Sequence, residues 1–276
     1  MLIRELDAAA ELARRAGGTI MSLSGRPRAR MKAGGSPVTM ADRLANRSIV
    51  RGLRQRFPKD GVLSEETRDD AARLSCERVW IVDPLDGTRE YMLGINEFCV
   101  MIGLTVGGEP VLGVVYNPAT DTLYGGVIGG GAFIEEGGAR RMLHVPETHG
   151  TAIRLVGSRS HADPKLVRIQ RELGITDVRV AGSVGIKCSL IARGECDLYV
   201  HPVPYLSEWD TCAPEVVLRA AGGVVSDCAG DRLRYNKPVP LQPYGILATT
   251  TSLHARVLPA VRGAFHEAPA AVAAAS

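Results

Sequence analysis

The chain has 276 residues, of which 45% are hydrophobic and 5% aromatic, and its formal net charge is +3. This length fits one large domain or two fused lobes, with a core of Val, Leu, Ile and Ala. The small charge and the absence of a basic stripe with interleaved aromatic residues give no support for a nucleic-acid partner. No apolar run is long enough to cross a bilayer, so we expect no membrane association.

Cysteine usage and the first residues of the chain predict a cytoplasmic protein. The six cysteines are scattered, with no C-x-x-C pair and no histidine at zinc spacing. We interpret them as small buried apolar residues in a reducing compartment. Residues 1–15 mix charged and apolar side chains, which is not typical of a signal peptide.

The first part of the chain predicts two amphipathic helices. Apolar residues recur at helical spacing from Leu2 to Leu23, where the helix ends in a loop rich in Gly, Ser and Arg. A second helix is predicted to begin at Thr39 and to end before Pro58. Asp42 lies three residues after Thr39, as in a capping box, and an acid in the first helical turn is favourable. Capping is therefore the simplest role for Asp42.

Two short strands are predicted next, and each runs into acidic residues. The first reaches Glu65 and Glu66, and we interpret Glu66 as a solvated residue. The second, Val79–Val82, is apolar and stops at Asp83, while Asp86 follows across a turn that contains proline. Two carboxylates at the end of a buried strand repel each other, and a cation would neutralise them. An ordinary turn with Asp at favoured positions is the alternative.

The rest of the chain predicts an antiparallel β meander, followed by alternating strands and helices without internal repeats. The meander strands are Phe98–Val106, Val111–Tyr116, Thr122–Ile128 and Ala132–Ile134. The later elements are strands near residues 153–156, 178–180, 197–200, 224 and 246, and helices near residues 164–173, 184–192 and 211–221. We predict an N-terminal α+β lobe (residues 1–150), a C-terminal α/β lobe (151–268) and a disordered tail (269–276).

Four acids occupy positions where a strand ends or a helix begins. They are Glu65, Asp83, Asp86 and Asp210. Such positions can meet at one edge of layered sheets. Carboxylates without His or Cys are hard ligands that select Mg²⁺ or Mn²⁺ over zinc. Clustered hard cations in enzymes usually serve phosphoryl transfer or hydrolysis.

Five segments, three of which contain these acids, occur in a characteristic order along the chain. The segments are Val38–Asp42 (VTMAD), Leu63–Glu66 (LSEE), Trp80–Tyr91 (WIVDPLDGTREY), Glu208–Ala213 (EWDTCA) and Ala221–Gly223 (AGG). From about residue 6 to residue 247 the chain resembles the lithium-sensitive, magnesium-dependent phosphatases of the inositol monophosphatase superfamily. The resemblance implies an α+β fold of alternating helix and sheet layers, an αβαβα sandwich of sugar-phosphatase type. It also implies an active site between two lobes.

The resemblance also implies roles for individual residues. The metal ligands would be Glu65, Asp83, Asp86, Asp210 and the backbone carbonyl of Leu85. They would hold two or three Mg²⁺ ions, with Mn²⁺ as a possible substitute. Thr88, supported by Asp42, would orient or deprotonate the attacking water, and Glu65 would belong to the same catalytic group. Gly87 and Thr88 would donate backbone N–H groups to the phosphate.

Within the superfamily, Arg89-Glu90-Tyr91 and the loop from Gly157 to His161 resemble the 3'(2'),5'-bisphosphate nucleotidases. The substrate contacts implied outside the metal turn are Ser158, Arg159, His161, Ser183, Lys187 and Asp210. Considered from the residues alone, Arg159 and Lys187 could each bind a second phosphate or be surface charges. The spacing from Ser183 to Lys187 is one residue longer than in some relatives.

The predicted function is therefore hydrolysis of adenosine 3'(2'),5'-bisphosphate, or of its sulfated form, to a nucleoside monophosphate and phosphate. The first alternative is an inositol monophosphatase or another sugar phosphatase of the same superfamily. The second is a sensor that binds phosphonucleotides without catalysis, although the retained acids, with Asp42 and Thr88, argue against it. The partner is a small phosphorylated molecule, and the resemblance also allows a homodimer.

Overall fold

The computed structural model describes residues 2–25, 29–32, 35, 37–146, 152–159, 163–204 and 206–266. These residues form five layers, in the order helices, seven-stranded sheet, helices, five-stranded sheet and helices. The layered αβαβα fold predicted from the sequence is confirmed. None of the helices in these ranges is both long and apolar enough to span a membrane.

The helices and strands are numbered along the chain. The helices are α1 (Ile3–Ser22), α2 (Met40–Arg56), α3 (Thr88–Met92), α4 (Pro164–Glu172), α5 (Val184–Ala192), α6 (Glu208–Ala220) and α7 (Thr251–His266), with a 3₁₀ helix at Ala71–Ser75. The strands are β1 (Ala29–Met31), β2 (Pro37–Thr39), β3 (Gly61–Ser64), β4 (Arg78–Asp86), β5 (Cys99–Val106), β6 (Glu109–Asn117), β7 (Thr122–Val127), β8 (Gly131–Glu136), β9 (Ala139–Leu143), β10 (Arg154–Ser158), β11 (Asp177–Ala181), β12 (Leu198–His201), β13 (Leu206–Ser207), β14 (Gly223–Ser226), β15 (Leu241–Gln242) and β16 (Ile246–Thr250).

The first layer consists of α1 and α2, which run antiparallel and cover one face of the seven-stranded sheet. Leu12 of α1 packs directly over Gly52 of α2, where an added Cβ would overlap the Leu12 side chain. The apolar residues at helical spacing are buried, as Ile20 and Ile49 illustrate. The two helices that the sequence predicts are confirmed, with ends shifted by one or two residues.

The seven-stranded sheet has the order β3-β4-β5-β6-β7-β8-β9. β3 and β4 are parallel, and all later neighbours are antiparallel, as the predicted meander requires. The prediction that the central strand stops at Asp83 was wrong. β4 continues to Asp86, and three steps along it match two steps along β5, from Met101 to Cys99. This β-bulge, which contains Pro84, places both acids at the strand end.

Three glycines form a row across the middle of this sheet. Gly103, Gly113 and Gly126 are direct neighbours in β5, β6 and β7. An added Cβ at Gly103 would lie 2.5 Å from Cys212 Sγ in α6, and one at Gly113 would overlap the carbonyl oxygen of Ala213. The missing side chains therefore allow the backbone of α6 to approach the sheet closely.

The five-stranded sheet has the order β11-β10-β12-β16-β14, and α5 and α6 lie between it and the first sheet. α4 and α7 cover its outer face. The sequence prediction missed α7 and ended the fold at the strand near Ile246. Pro259 lies inside α7 and obscures the helical pattern, because proline is unfavourable in a helix interior.

The sequence prediction also missed β1, β9 and α3. The predicted lobe boundary near residue 150 falls within residues 147–151, outside the described residues, as does the predicted tail, 269–276. The division into two lobes therefore remains a proposal.

The substitution Gly113→Ala is expected to lower the free energy of unfolding by about 1–3 kcal/mol, because the new Cβ would overlap the backbone of α6. Gly18→Ala is the control. Gly18 lies in α1, and an added Cβ would have no neighbour within 4 Å. Alanine favours the helix by about 1 kcal/mol over glycine, so this variant should be neutral or more stable. Denaturant unfolding of both variants measures the difference. Wild-type stability of Gly113→Ala would contradict the close approach.

Candidate active site

Three aspartates meet where the end of β4 faces the start of α6. One carboxylate oxygen from each of Asp83, Asp86 and Asp210 lies within 4.8 Å of the oxygens from the other two. Asp83 and Asp86 flank the β-bulge, and Asp210 lies in the first turn of α6. This helix begins at Glu208, three residues earlier than predicted. All five residues predicted as ligands line one cavity, since Leu85 and Glu65 lie there with the three aspartates.

Asp83 is buried, Asp86 and Asp210 are partly buried, and the three carboxylates repel one another. Burial raises the pKa of Asp83 well above its usual range, and the nearby charges of Glu65, Asp86 and Asp210 raise it further. Burial and the same repulsion, from Asp86 and Glu65, raise the pKa of Asp210. A divalent cation between the carboxylates would remove this repulsion. The donor set consists of oxygen atoms, which suits a hard cation.

Asp86 is held by the beginning of α5. Its Oδ2 atom accepts hydrogen bonds from Ser183 Oγ at 2.6 Å, Val184 N at 2.6 Å and Gly185 N at 3.2 Å. Ser183 has φ +57°, a left-handed conformation that is unfavourable for residues other than glycine. The Ser183 hydroxyl, predicted as a substrate contact, is therefore engaged by a predicted metal ligand.

Glu65 follows β3 and is paired with a lysine. Lys32 Nζ lies 2.6 Å from Glu65 Oε1, and it also contacts Glu66. Burial raises the pKa of Glu65, while the Lys32 charge opposes the shift. The interpretation of Glu66 as a solvated residue was wrong. Sequence reasoning missed Lys32, because no local pattern links it to Glu65, which is 33 residues away.

Asp42 and Thr88 are joined by a hydrogen bond. Thr88 Oγ1 lies 3.0 Å from Asp42 Oδ1 and 3.1 Å from the carbonyl oxygen of Leu85. The other carboxylate oxygen, Asp42 Oδ2, accepts the Thr39 N–H at 2.8 Å and completes a capping box for α2. The capping role and the contact with Thr88 therefore coexist, because each uses a different oxygen.

Gly87 forms the turn between β4 and α3. Its φ is +91°, and an added Cβ would lie 2.8 Å from the carbonyl oxygen of Glu97. Both the conformation and the close contact require glycine at this position. Gly87 and Thr88 line the cavity beside the aspartates.

The cavity has a volume of about 880 Å³, and most of the other predicted substrate contacts also line it. These are Ser158, Arg159, Ser183 and Lys187. Arg159 is paired with Glu97 through Nε at 3.0 Å and Nη2 at 2.8 Å. His161 lies outside the described residues.

Lys187 is a buried amine that lines the cavity, not a surface charge. It is only 3% exposed, and its Nζ lies 5.1 Å from the centre of the Tyr199 ring. Burial lowers its pKa, while the negative charge of Asp86 has the opposite effect. The ring face stabilises a cation at this position.

Residues 3–265 match the model described as the inositol monophosphatase family. The 3'(2'),5'-bisphosphate nucleotidase CysQ of Escherichia coli is 39% identical over 234 residues, which cover 83% of this chain and 93% of the relative. The 3'-phosphoadenosine 5'-phosphate phosphatase of Mycobacterium bovis is 36% identical over 242 residues, 82% of this chain and 81% of the relative. The crystal structure of CysQ from Bacteroides thetaiotaomicron has a TM-score of 0.77 and 35% identity and covers 89% of this chain and 97% of that one. The chain belongs to the inositol monophosphatase family, a family of metal-dependent phosphatases.

The substitutions Asp42→Asn and Thr88→Ala are expected to lower kcat by about 10²–10⁴-fold each, because the two side chains form one hydrogen-bonded unit. The double variant should be little worse than either single variant, since groups that act as a unit are not additive. Asn can still accept the Thr39 N–H, so stability should change by less than about 1 kcal/mol.

Steady-state kinetics and thermal midpoints of the two single variants and the double variant test this unit. Losses that multiply in the double variant would show two independent roles. A near-normal kcat with reduced stability for Asp42→Asn would leave only the capping role.

Proposed function

We propose that the protein is a Mg²⁺-dependent phosphomonoesterase that hydrolyses adenosine 3'(2'),5'-bisphosphate to AMP and phosphate. The observation that carries the proposal is the group of Asp83, Asp86 and Asp210, whose oxygens lie within 4.8 Å of one another at one cavity wall. The same cavity is lined by two basic residues, Arg159 and Lys187. The relatives named for the same activity support this choice of substrate.

In this proposal the metal ions are held by carboxylates from both halves of the chain and by one carbonyl. The ligands would be Glu65, Asp83, Leu85 O, Asp86 and Asp210. When bound, two or three Mg²⁺ or Mn²⁺ ions would supply positive charge to the phosphate and activate the attacking water. Lys32 Nζ lies 2.6 Å from Glu65 Oε1, so this lysine would either share the carboxylate with the metal, through its other oxygen, or release it when the metal binds.

Thr88 and Asp42 would orient the attacking water and receive its proton. The Thr88 hydroxyl can donate to Asp42 Oδ1 at 3.0 Å, which leaves the oxygen lone pairs of Thr88 free to accept a hydrogen bond from water. Asp42 is fixed by its second oxygen on the Thr39 N–H. The capping box thus holds the proposed base in place without using the oxygen that contacts Thr88.

The phosphate that is not hydrolysed would lie against Arg159 and Lys187. Lys187 would offer an ammonium group there that is already removed from bulk water, and charge-assisted hydrogen bonds to phosphate are strong. A sulfated bisphosphate nucleotide has the same two phosphates and could use the same contacts. Inositol 1-phosphate has one phosphate, so Arg159 and Lys187 would have no second phosphate to bind.

Among adenosine 3',5'-bisphosphate, inositol 1-phosphate and fructose 1,6-bisphosphate, the first is expected to have the highest kcat/KM in the presence of Mg²⁺. A charged hydrogen bond contributes about 1.5–3 kcal/mol, so its preference over inositol 1-phosphate should be about tenfold or more. Phosphate release from the three substrates measures this preference.

Two variants serve as controls for the substrate comparison. Asp210→Asn should nearly abolish release from all three substrates, because Asn keeps the helix cap but removes a ligand charge. Lys187→Met should reduce release from the bisphosphate nucleotide most. A tenfold preference for inositol 1-phosphate would instead indicate an inositol monophosphatase. No release from any substrate would favour a sensor.

A further inference from the structure

Glu97 lies between the two turns that frame the active site. An added Cβ at Gly87, in the turn after Asp86, would lie 2.8 Å from the Glu97 carbonyl oxygen. An added Cβ at Gly182, in the turn before α5, would lie at the same distance from the same oxygen. The backbone of Glu97 is therefore packed between the turn after Asp86 and the turn before α5, and each of these contacts requires glycine at its position.

The Glu97 side chain binds two groups of the second half of the chain. Oε2 accepts hydrogen bonds from Gly182 N at 2.7 Å and from Arg159 Nε at 3.0 Å, and Oε1 accepts one from Arg159 Nη2 at 2.8 Å. Burial would raise the pKa of Glu97, but the bonds from Arg159 and Gly182 outweigh it and hold this pKa below its usual value. The group is thus a carboxylate at neutral pH.

The beginning of α5 is held by two acids from separate segments of the first half. Asp86 accepts the N–H groups of Val184 and Gly185, and Glu97 accepts that of Gly182. Between them, Ser183 is kept in its left-handed conformation. A residue in a sparsely populated conformation persists only where its surroundings fix it from several sides.

Arg159 keeps donors available while it is paired. The contacts with Glu97 use Nε and Nη2, so the two protons on Nη1 are not engaged by this carboxylate. The side chain is 35% exposed and lines the cavity. A planar guanidinium fixed along one edge can present its other edge to a phosphate without losing further side-chain entropy.

We propose that Glu97 is a positioning residue that sets Arg159 for the substrate phosphate outside the metal site. Glu97 thereby determines the preference for nucleoside bisphosphates over nucleoside monophosphates. This inference rests on the proposed function, because it assumes that a phosphomonoester is hydrolysed at the aspartates.

The test compares kcat/KM for adenosine 3',5'-bisphosphate and adenosine 3'-monophosphate and uses their ratio as the selectivity. Glu97→Gln keeps the size of the side chain and an acceptor for Gly182 N–H but removes the charged pair with Arg159. We expect its selectivity to fall by about tenfold, mainly through KM for the bisphosphate. Arg159→Gln should lose at least as much selectivity, and the double variant should match Arg159→Gln.

Two further variants separate positioning from a general effect of charge. Arg159→Lys keeps the charge but cannot form the two-nitrogen pair, so it should also lose most of the selectivity. Glu195→Gln is the matched control. Glu195 pairs with Arg179 at 2.8 Å and with Arg193 at 2.6 Å but does not line the cavity, so the selectivity of this variant should equal that of the wild type.

Several results would overturn the inference. They are wild-type selectivity in Glu97→Gln or Arg159→Lys, an equal loss on both substrates, or losses that multiply in the double variant. Phosphate release from neither nucleotide by the wild-type enzyme would instead refute the proposed function, and the two failures are therefore distinguishable.

Discussion

Electrostatic repulsion among Asp83, Asp86 and Asp210 is the constraint on which the rest of the structure depends. Three carboxylates at this distance, one buried and two partly buried, are unfavourable without a cation, and the fold brings them together nevertheless. The β-bulge in β4 places the first two, and the row of glycines lets α6 come close enough to deliver the third. The hydrophobic packing of α6 against the seven-stranded sheet therefore offsets the repulsion among the three carboxylates.

Three of the site acids also accept N–H groups at the beginnings of helices. Asp42 caps α2, Asp86 caps the beginning of α5, and Asp210 accepts the Ser207 N–H at the start of α6. In each acid one oxygen, Oδ2, receives the capping bonds. The partial positive charge of a helix N-terminus stabilises a carboxylate that would otherwise repel its neighbours. Local helix chemistry thus fixes the orientation of groups that serve the active site.

Local patterns in the sequence predict most of the fold and the acids of the site. The spacing of apolar residues defines α1 and α2, and the acids at strand ends are visible as interruptions of apolar runs. Contacts between distant segments are not visible in this way. The pair of Arg159 with Glu97 joins residues 62 positions apart, and the pair of Lys32 with Glu65 joins residues 33 positions apart. The burial of Lys187 likewise depends on packing between two sheets. Its chemistry could be proposed from the resemblance, but its environment could not.

The central claim is that the three aspartates form one cation site. A crystal grown or soaked with Mn²⁺ and measured near the manganese absorption edge tests this claim most directly, because the anomalous signal locates the ion independently of activity. The account predicts a strong anomalous peak between Asp83, Asp86 and Asp210, at about 2.0–2.3 Å from a carboxylate oxygen of each. A map with no peak at this position at saturating Mn²⁺, or with its only strong peak elsewhere, would contradict it.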